Sequence, residues 1–453
     1  MNLKKAIFFM LIISLYSCKS DDDTMEETID PIETTAAITV YEADAIDDEI
    51  ILVSAIFSNK SYLINKEGFP LHKWEFTDNA LMAYLSEDGF LYRVAQEPNP
   101  PVSFGGQTGR IEKVDLQGNV VWQWSLNDAT SVMHHDFTLM PNGNILACVW
   151  DQKDALEATL NGRDPNFMID NAVTPDRIIE IEPVGTNGAN IVWQWDVWDH
   201  LVQDFDASKN NFGNVAASPE RIDINFEGTN GDQNLVHLNS ISYIEELDQI
   251  VMSSRVFSEL WVIDHSTTTA EAAGSTGGTY GKGGDLLYRW GNPVSHDNGT
   301  ASDRKLFEQH DVTYIANAQN NGGTFLMFNN QITDNTSAVV EVEAPIDANG
   351  NYTLNANEIP APVTYSWIYE SDEILSGRTS GAHRMDNGNT LITSNMSSVM
   401  REINNQGDIL WEYDFNAQME FEITNAPFKA AVYTRDYPGL DNIDLTPLDP
   451  SEY

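Results

Sequence analysis

Gly118-Asn119-Val120-Val121-Trp122-Gln123-Trp124 returns almost unchanged as Gly188-Ala189-Asn190-Ile191-Val192-Trp193-Gln194-Trp195. Looser copies stand at Glu67-Gly68-Phe69-Pro70-Leu71-His72-Lys73-Trp74, Gly284-Asp285-Leu286-Leu287-Tyr288-Arg289-Trp290, Thr364-Tyr365-Ser366-Trp367-Ile368-Tyr369 and Gly407-Asp408-Ile409-Leu410-Trp411-Glu412-Tyr413. The pattern is a turn and then a short strand ending in Trp or Tyr. Alternation puts the aromatics on one face of that strand, where they can pack between neighbouring sheets. A second pattern supplies hairpins: Met140-Pro141-Asn142-Gly143-Asn144-Ile145-Leu146 and Met385-Asp386-Asn387-Gly388-Asn389-Thr390-Leu391 carry the Asn-Gly turn signal. Six such units of four short strands predict an all-β fold, a six-bladed β-propeller. With the aromatic strand last, five blades fall at about 78–125, 133–196, 235–291, 309–370 and 378–415. The sixth joins residues 50–76 to a strand near 426–434, so that N- and C-terminal strands close one blade and remove the open edge.

The rest of the chain fits a secreted protein of this kind. It has 453 residues, long for one core but within reach of a closed all-β architecture. Asp and Glu number 69 against 24 Lys and Arg, a net charge of −45. Such a surface excludes nucleic acid and anionic membrane faces as partners, since phosphate binding needs clustered cations. Lys4 and Lys5 precede an apolar run, residues 6–15, that is too short to span a bilayer. Leu15-Tyr16-Ser17-Cys18 resembles a bacterial lipobox, which implies cleavage before Cys18 and a lipid on its thiol. The alternative is a cleaved, soluble secretion signal. Residues 1–17 are thus expected to be a lipoprotein signal peptide and 18–45 an acidic linker. A propeller domain follows over 46–445, then a tail over 446–453. The expected location is the bacterial outer membrane, periplasmic or cell-surface, with the lipid as the only membrane contact. Cys148 then has no disulfide partner and reads as a small buried hydrophobe.

The innermost strands carry the chemistry. His135-Asp136-Phe137-Thr138-Leu139 aligns with His310-Asp311-Val312-Thr313-Tyr314 and with His237-Leu238-Asn239-Ser240-Ile241. Inner strands line a propeller's central channel, so three imidazoles in one register are expected at one mouth. Six residues beyond Gln249 stands Arg255, as Trp150 stands beyond Asn144 and Asn395 beyond Asn389. By strict alternation His134 should face away from His135. His383 is off register and reads as a packing residue. Three histidines also suit zinc, but Asp136 and Asp311 should point to the other face, and no metal is expected. The loop Gly274–Gly283 lacks the residues and the helix of a phosphate-binding loop.

At these residues the sequence resembles the bacterial arylsulfotransferases. The resemblance covers about residues 45–445 and includes His310-Asp311, His237 with Arg255, Ser380–Ile392, Ala426-Pro427-Phe428-Lys429 and Tyr437-Pro438-Gly439-Leu440. It implies transfer of a sulfuryl group from a phenolic sulfate ester to a phenol, without the nucleotide sulfate donor, through a sulfohistidine. By the same resemblance His310 is the nucleophile. His237 and Arg255 hold the sulfuryl oxygens, His135 is an acid or base, and Asn239 and Thr379 bind substrate. No cofactor is implied; the partners are a small aryl sulfate donor and a phenolic acceptor. The chemistry agrees: a neutral imidazole attacks near pH 7 and leaves readily, and a guanidinium stabilises the transferring oxygens. Two departures from the family are expected: no second mature cysteine to complete its cysteine pair, and, with only a short stretch before residue 45, no N-terminal β-rich domain. Two other readings remain at this stage: a non-catalytic cell-surface propeller binding sulfated glycans or proteins, and a quinoprotein-like redox enzyme.

Overall fold

A computed structural model describes residues 33–229, 233–317, 322–417, 423 and 425–452. The signal segment 1–17, Cys18 and the linker through residue 32 lie outside the described residues.

The fold is all-β, and its main sheets are antiparallel. Four strands, Ser131–Leu139, Ile145–Asp151, Asp176–Val184 and Gly188–Asp196, form one sheet in that order. Leu238–Ile244, Gln249–Ser254, Glu259–Asp264 and Tyr288–Trp290 form the next, and His310–Asn317, Gly322–Thr333, Thr336–Glu343 and Trp367–Ser371 a third. The fourth contains Gly381–Arg384, Thr390–Ser394, Val399–Ile403 and Ile409–Asp414. The remaining main sheet has seven strands, because Pro70–Leu85 runs on for 16 residues. Its first half pairs with Ser58–Ile64 and its second half with Leu91–Gln96. Ala431–Tyr433 adds to Ile50–Leu52 at this sheet's edge, joining a late strand to an early one.

Sequence and burial agree strand by strand. The second strands are buried on both faces, and every residue of Ile145–Asp151 and of Gln249–Ser254 is buried. The aromatic strands alternate: Trp411 and Tyr413 face inward between half-buried neighbours. Gly143 and Gly388 take φ of 87° and 86° in the Asn-Gly turns, a conformation that a side chain at Cβ would oppose.

The aromatic strands also bind the sheets to one another. Trp74 Nε1 donates to Asp115 O at 3.0 Å, Trp122 to Gly188 O at 2.8 Å and Trp195 to Gly284 O at 2.7 Å. Trp290 donates to Pro362 O at 2.6 Å, Trp367 to Asn405 O at 3.1 Å and Trp411 to Lys66 O at 2.6 Å. Each indole reaches forward to the next set of strands, and the last returns to the first. Between the first strands of successive sheets, Asp136 accepts the Ile241 N–H at 3.1 Å, Ser240 Oγ the Val312 N–H at 2.9 Å and Asp311 the Ala382 N–H at 3.0 Å.

One expectation is corrected. Ile38–Tyr41, assigned to the linker from its acidic, Thr-rich surroundings, is a strand paired antiparallel with Trp411–Tyr413. Its segment is anchored by Ala37, which is fully buried beside Trp411 and Tyr413. Composition hid an edge strand whose pairing partner lies far along the chain.

Candidate active site

The site is built on bulges. Pairing slips between His134 and Phe137, between Leu238 and Ser240, and between His310 and Thr313. His135, His237 and Asp311 have φ of 49°, 53° and 57°. A bulge re-aims the side chains around it, so strict alternation fails here. His134 does not turn away from His135: their Nδ1 atoms are 2.9 Å apart and both rings are buried. His134 also stacks on Trp150, with centroids 4.1 Å apart and planes within 7°. Gly106 closes over His135. Its carbonyl accepts the His135 N–H at 2.7 Å, and a Cβ on Gly106 would lie 2.1 Å from the imidazole.

His310 has its two nitrogens set apart by their partners. Nδ1 is 2.7 Å from Asn330 Oδ1. The Asn330 amide is oriented in turn, because its Nδ2 donates to Ser376 O at 2.9 Å and Thr379 O at 2.8 Å. An amide oxygen can only accept, so His310 carries its proton on Nδ1. Nε2 therefore presents a lone pair, and the Thr379 N–H points at it from 3.2 Å. Thr379 holds φ of 58°, an unusual conformation for a β-branched residue. That backbone, rather than the Thr379 hydroxyl, faces the histidine; the hydroxyl donates to Arg378 O.

His237 meets His135, Nε2 to Nε2, at 3.2 Å, and its Nδ1 is 2.6 Å from Asn234 Nδ2. Phe428 reaches both sides of the site, its ring 6.3 Å from that of His135 and 5.6 Å from that of His310. Asn395 holds the segment before it by donating to Ala426 O at 2.6 Å. Arg255 donates its backbone N–H to His237 O at 3.1 Å, and its guanidinium pairs with Glu308. Asn239 does not offer its amide N–H to the site. It donates to Gln309 O at 2.8 Å and so ties the residue before His310.

Electrostatics favour neutral imidazoles. Burial pushes His135 and His237 well below the usual histidine range, and the Arg255 charge adds to the effect. Burial brings His310 down to about 3 despite its hydrogen bond to Asn330, which acts the other way. Asp136 and Asp311 lie across from this cluster, bound to the Lys429 ammonium at 2.9 and 2.8 Å. No group of three or more His, Cys, Asp or Glu among the described residues is placed to hold a metal ion. Cys148 is a buried free thiol whose burial pushes it well above the usual range. His383 is corrected: it is exposed and lines a cavity of about 340 Å³ with Tyr84, Asp311 and Lys429.

Asn330, Asp176 and Gly106 were not among the residues singled out from sequence, and His134 was read only as facing away from His135. A signal for Asn330 existed. The six-residue step that leads from Asn144 to Trp150 leads from Thr324 to Asn330 on the matching strand. The other three depend on bulge geometry and contacts between distant segments, which carry no local pattern.

Fold and site together define an all-β protein that gathers histidines from three sheets, with one arginine, at a buried point beside bulged inner strands. The chain belongs to the arylsulfotransferase family, whose model matches residues 42–434, and this membership supports an aryl sulfotransferase activity in general. No curated protein matches the sequence. Solved structures similar to it include virginiamycin B lyase from Staphylococcus aureus, 12% identical, covering 84% of this chain and 85% of that one with a TM-score of 0.37. A β-propeller domain from Myceliophteria thermophila is 9% identical, covering 85% and 87% respectively, with a TM-score of 0.40.

Proposed function

We propose that the protein transfers a sulfuryl group from a phenolic sulfate ester to a phenol in two steps through His310. The observation that carries this reading is the Asn330–His310 bond, which keeps the proton of a neutral, buried imidazole on Nδ1; the Nε2 lone pair, which the Thr379 N–H meets at 3.2 Å, attacks as that contact is released. In the first step Nε2 bonds to sulfur and the sulfur–aryl oxygen bond breaks. Arg255 and His237 hold the sulfuryl oxygens as charge moves to the leaving phenolate, and His135 hands that oxygen a proton. In the second step an acceptor phenol loses its proton to His135 and attacks sulfur, and the electron pair returns to His310 Nε2. His310 keeps its Nδ1 proton throughout.

The arrangement of sheets is read as a six-bladed propeller. The seven-stranded sheet is two blades sharing the long strand Pro70–Leu85. The six forward-reaching indole bonds support this reading, since their chain returns to its start. Lipidation at Cys18 and anchorage to the outer membrane complete the proposal. Replacing Cys18 by Ser is expected to move the protein from the membrane fraction to the soluble one.

The decisive test is incubation with 4-nitrophenyl sulfate, followed by mass spectrometry under mild conditions. A sulfuryl adduct on the His310 peptide is expected, and His310→Ala should abolish both the adduct and transfer to phenol. Full transfer by a correctly folded His310→Ala protein would remove the assigned nucleophile.

A further inference from the structure

We propose that Asp176 and His134 form, with His135, a proton relay that stores the proton exchanged between the leaving and attacking phenols. The inference rests on the sulfotransferase reading and adds two positioning residues to it.

The three groups stand in line. His135 Nδ1 is 2.9 Å from His134 Nδ1, and His134 Nε2 is 3.1 Å from Asp176 Oδ1. The first contact is aligned as a hydrogen bond; the second is within ion-pair distance, with the ring nitrogen off the line of a hydrogen bond. The relay requires the ring to turn so that this nitrogen comes into line with Asp176. Stacking on Trp150 holds the plane of the His134 ring. Asp176 is fixed from the other side by the N–H groups of His237 at 3.2 Å and Leu238 at 2.9 Å. His135 Nε2, the far end of the line, opens toward His237 Nε2 at 3.2 Å. The two Nδ1 atoms that face each other can share only one proton, so the tautomers of His134 and His135 are coupled.

That coupling gives two states with the same heavy atoms. In the loaded state the protons sit on the Asp176 carboxyl, His134 Nδ1 and His135 Nε2; His237 Nε2 then accepts from His135, so His237 carries its own proton on Nδ1, and the Asn234 amide must turn its oxygen to that nitrogen. When the donor's phenolate leaves, the His135 Nε2–H bond breaks and the phenol O–H bond forms. His134 passes its Nδ1 proton to His135 Nδ1, and Asp176 passes its own to His134 Nε2. The relay is left as a carboxylate with two neutral imidazoles. The acceptor phenol then returns one proton to His135 Nε2, and every shift reverses. No isolated imidazolium need form in the buried site, where burial disfavours it. Burial pushes Asp176 well above the carboxylate range, with its backbone N–H bonds opposing, and pushes His134 and His135 well below theirs. These directions agree with a resting proton at the Asp176 end of the line.

The test compares donors whose leaving groups differ in their need for a proton. 4-Nitrophenolate leaves without much help, whereas phenolate requires protonation. In Asp176→Asn and in His134→Gln the ratio of single-turnover rates, 4-nitrophenyl sulfate over phenyl sulfate, should rise at least about 10-fold, within the span of general acid catalysis. A merely structural role lowers both rates together, and an unchanged ratio overturns the relay. Should either variant fail to fold, the intact protein decides. With ¹⁵N-labelled histidine, His134 should switch from Nδ1–H to Nε2–H, and His135 from Nε2–H to Nδ1–H, between resting and sulfated enzyme. Identical tautomers in the two forms overturn the relay as well. Absence of transfer by the unaltered protein from either donor is a different failure: it sinks the sulfotransferase reading, and the relay with it.

Discussion

Asn330 Oδ1 sits 2.7 Å from His310 Nδ1, and the Asn330 amide is itself fixed by two backbone carbonyls. The tautomer of the candidate nucleophile is thus set by a side chain twenty residues away on the neighbouring strand. Asn330→Ala removes the acceptor and frees the ring to rotate or to place its proton on Nε2. The maximum rate should fall about 100-fold, of the order of acid–base and orientation effects, with a smaller change in KM. Steady-state kinetics with 4-nitrophenyl sulfate check this; a wild-type rate in Asn330→Ala would show that the contact does not set the tautomer.

The second prediction concerns pH. Burial holds His310 down to about 3, so its lone pair should be available across the whole neutral range. A ¹⁵N titration of His310 should show no protonation between pH 8 and pH 5. Because the unfolded chain binds this proton near the ordinary histidine value of about 6.5 and the folded one does not, stability should decline as pH falls below that value toward 3. A His310 midpoint near 6.5 contradicts both statements.

Glu308 holds the Arg255 guanidinium. An anionic sulfate ester must compete with that carboxylate for the same cation. Glu308→Gln should lower KM for the donor by roughly 3- to 10-fold, the effect of about 1 kcal/mol in binding, and leave the maximum rate nearly unchanged. A raised KM would mean that Glu308 positions Arg255 for the substrate.

Lys429 neutralises two buried carboxylates, Asp136 and Asp311, each of which also accepts a backbone N–H from the next inner strand. Lys429→Met strands both charges. The cost should be about 3–5 kcal/mol, the usual penalty for breaking a buried ion pair, read by urea denaturation. Adding Asp136→Asn and Asp311→Asn to that variant should recover most of the loss. A change below about 1 kcal/mol in Lys429→Met would show that the carboxylates are not held as ions.

The strands and their order were legible because each rule involved is local. Asn-Gly turns, two-residue alternation and the Trp-ended strands all act within a few residues, and they place strands from Leu91–Gln96 through Ile409–Asp414. The same rules fail at Ile38–Tyr41, whose only reason to be a strand is its pairing with Trp411–Tyr413. They fail again at His134, where a bulge cancels alternation.

Sequence alone determined the all-β class, and it drew attention to His135, His237 and His310 and to the arginine that follows His237. It could do so because periodicity and register are properties of short runs of chain. Only the tertiary structure decided which nitrogen of His310 carries the proton, that His134 and Asp176 stand behind His135, and that Glu308 occupies Arg255. Those relations join atoms from separate sheets, and they depend on bulges and left-handed backbone angles that the packing of neighbouring strands imposes and no local pattern encodes.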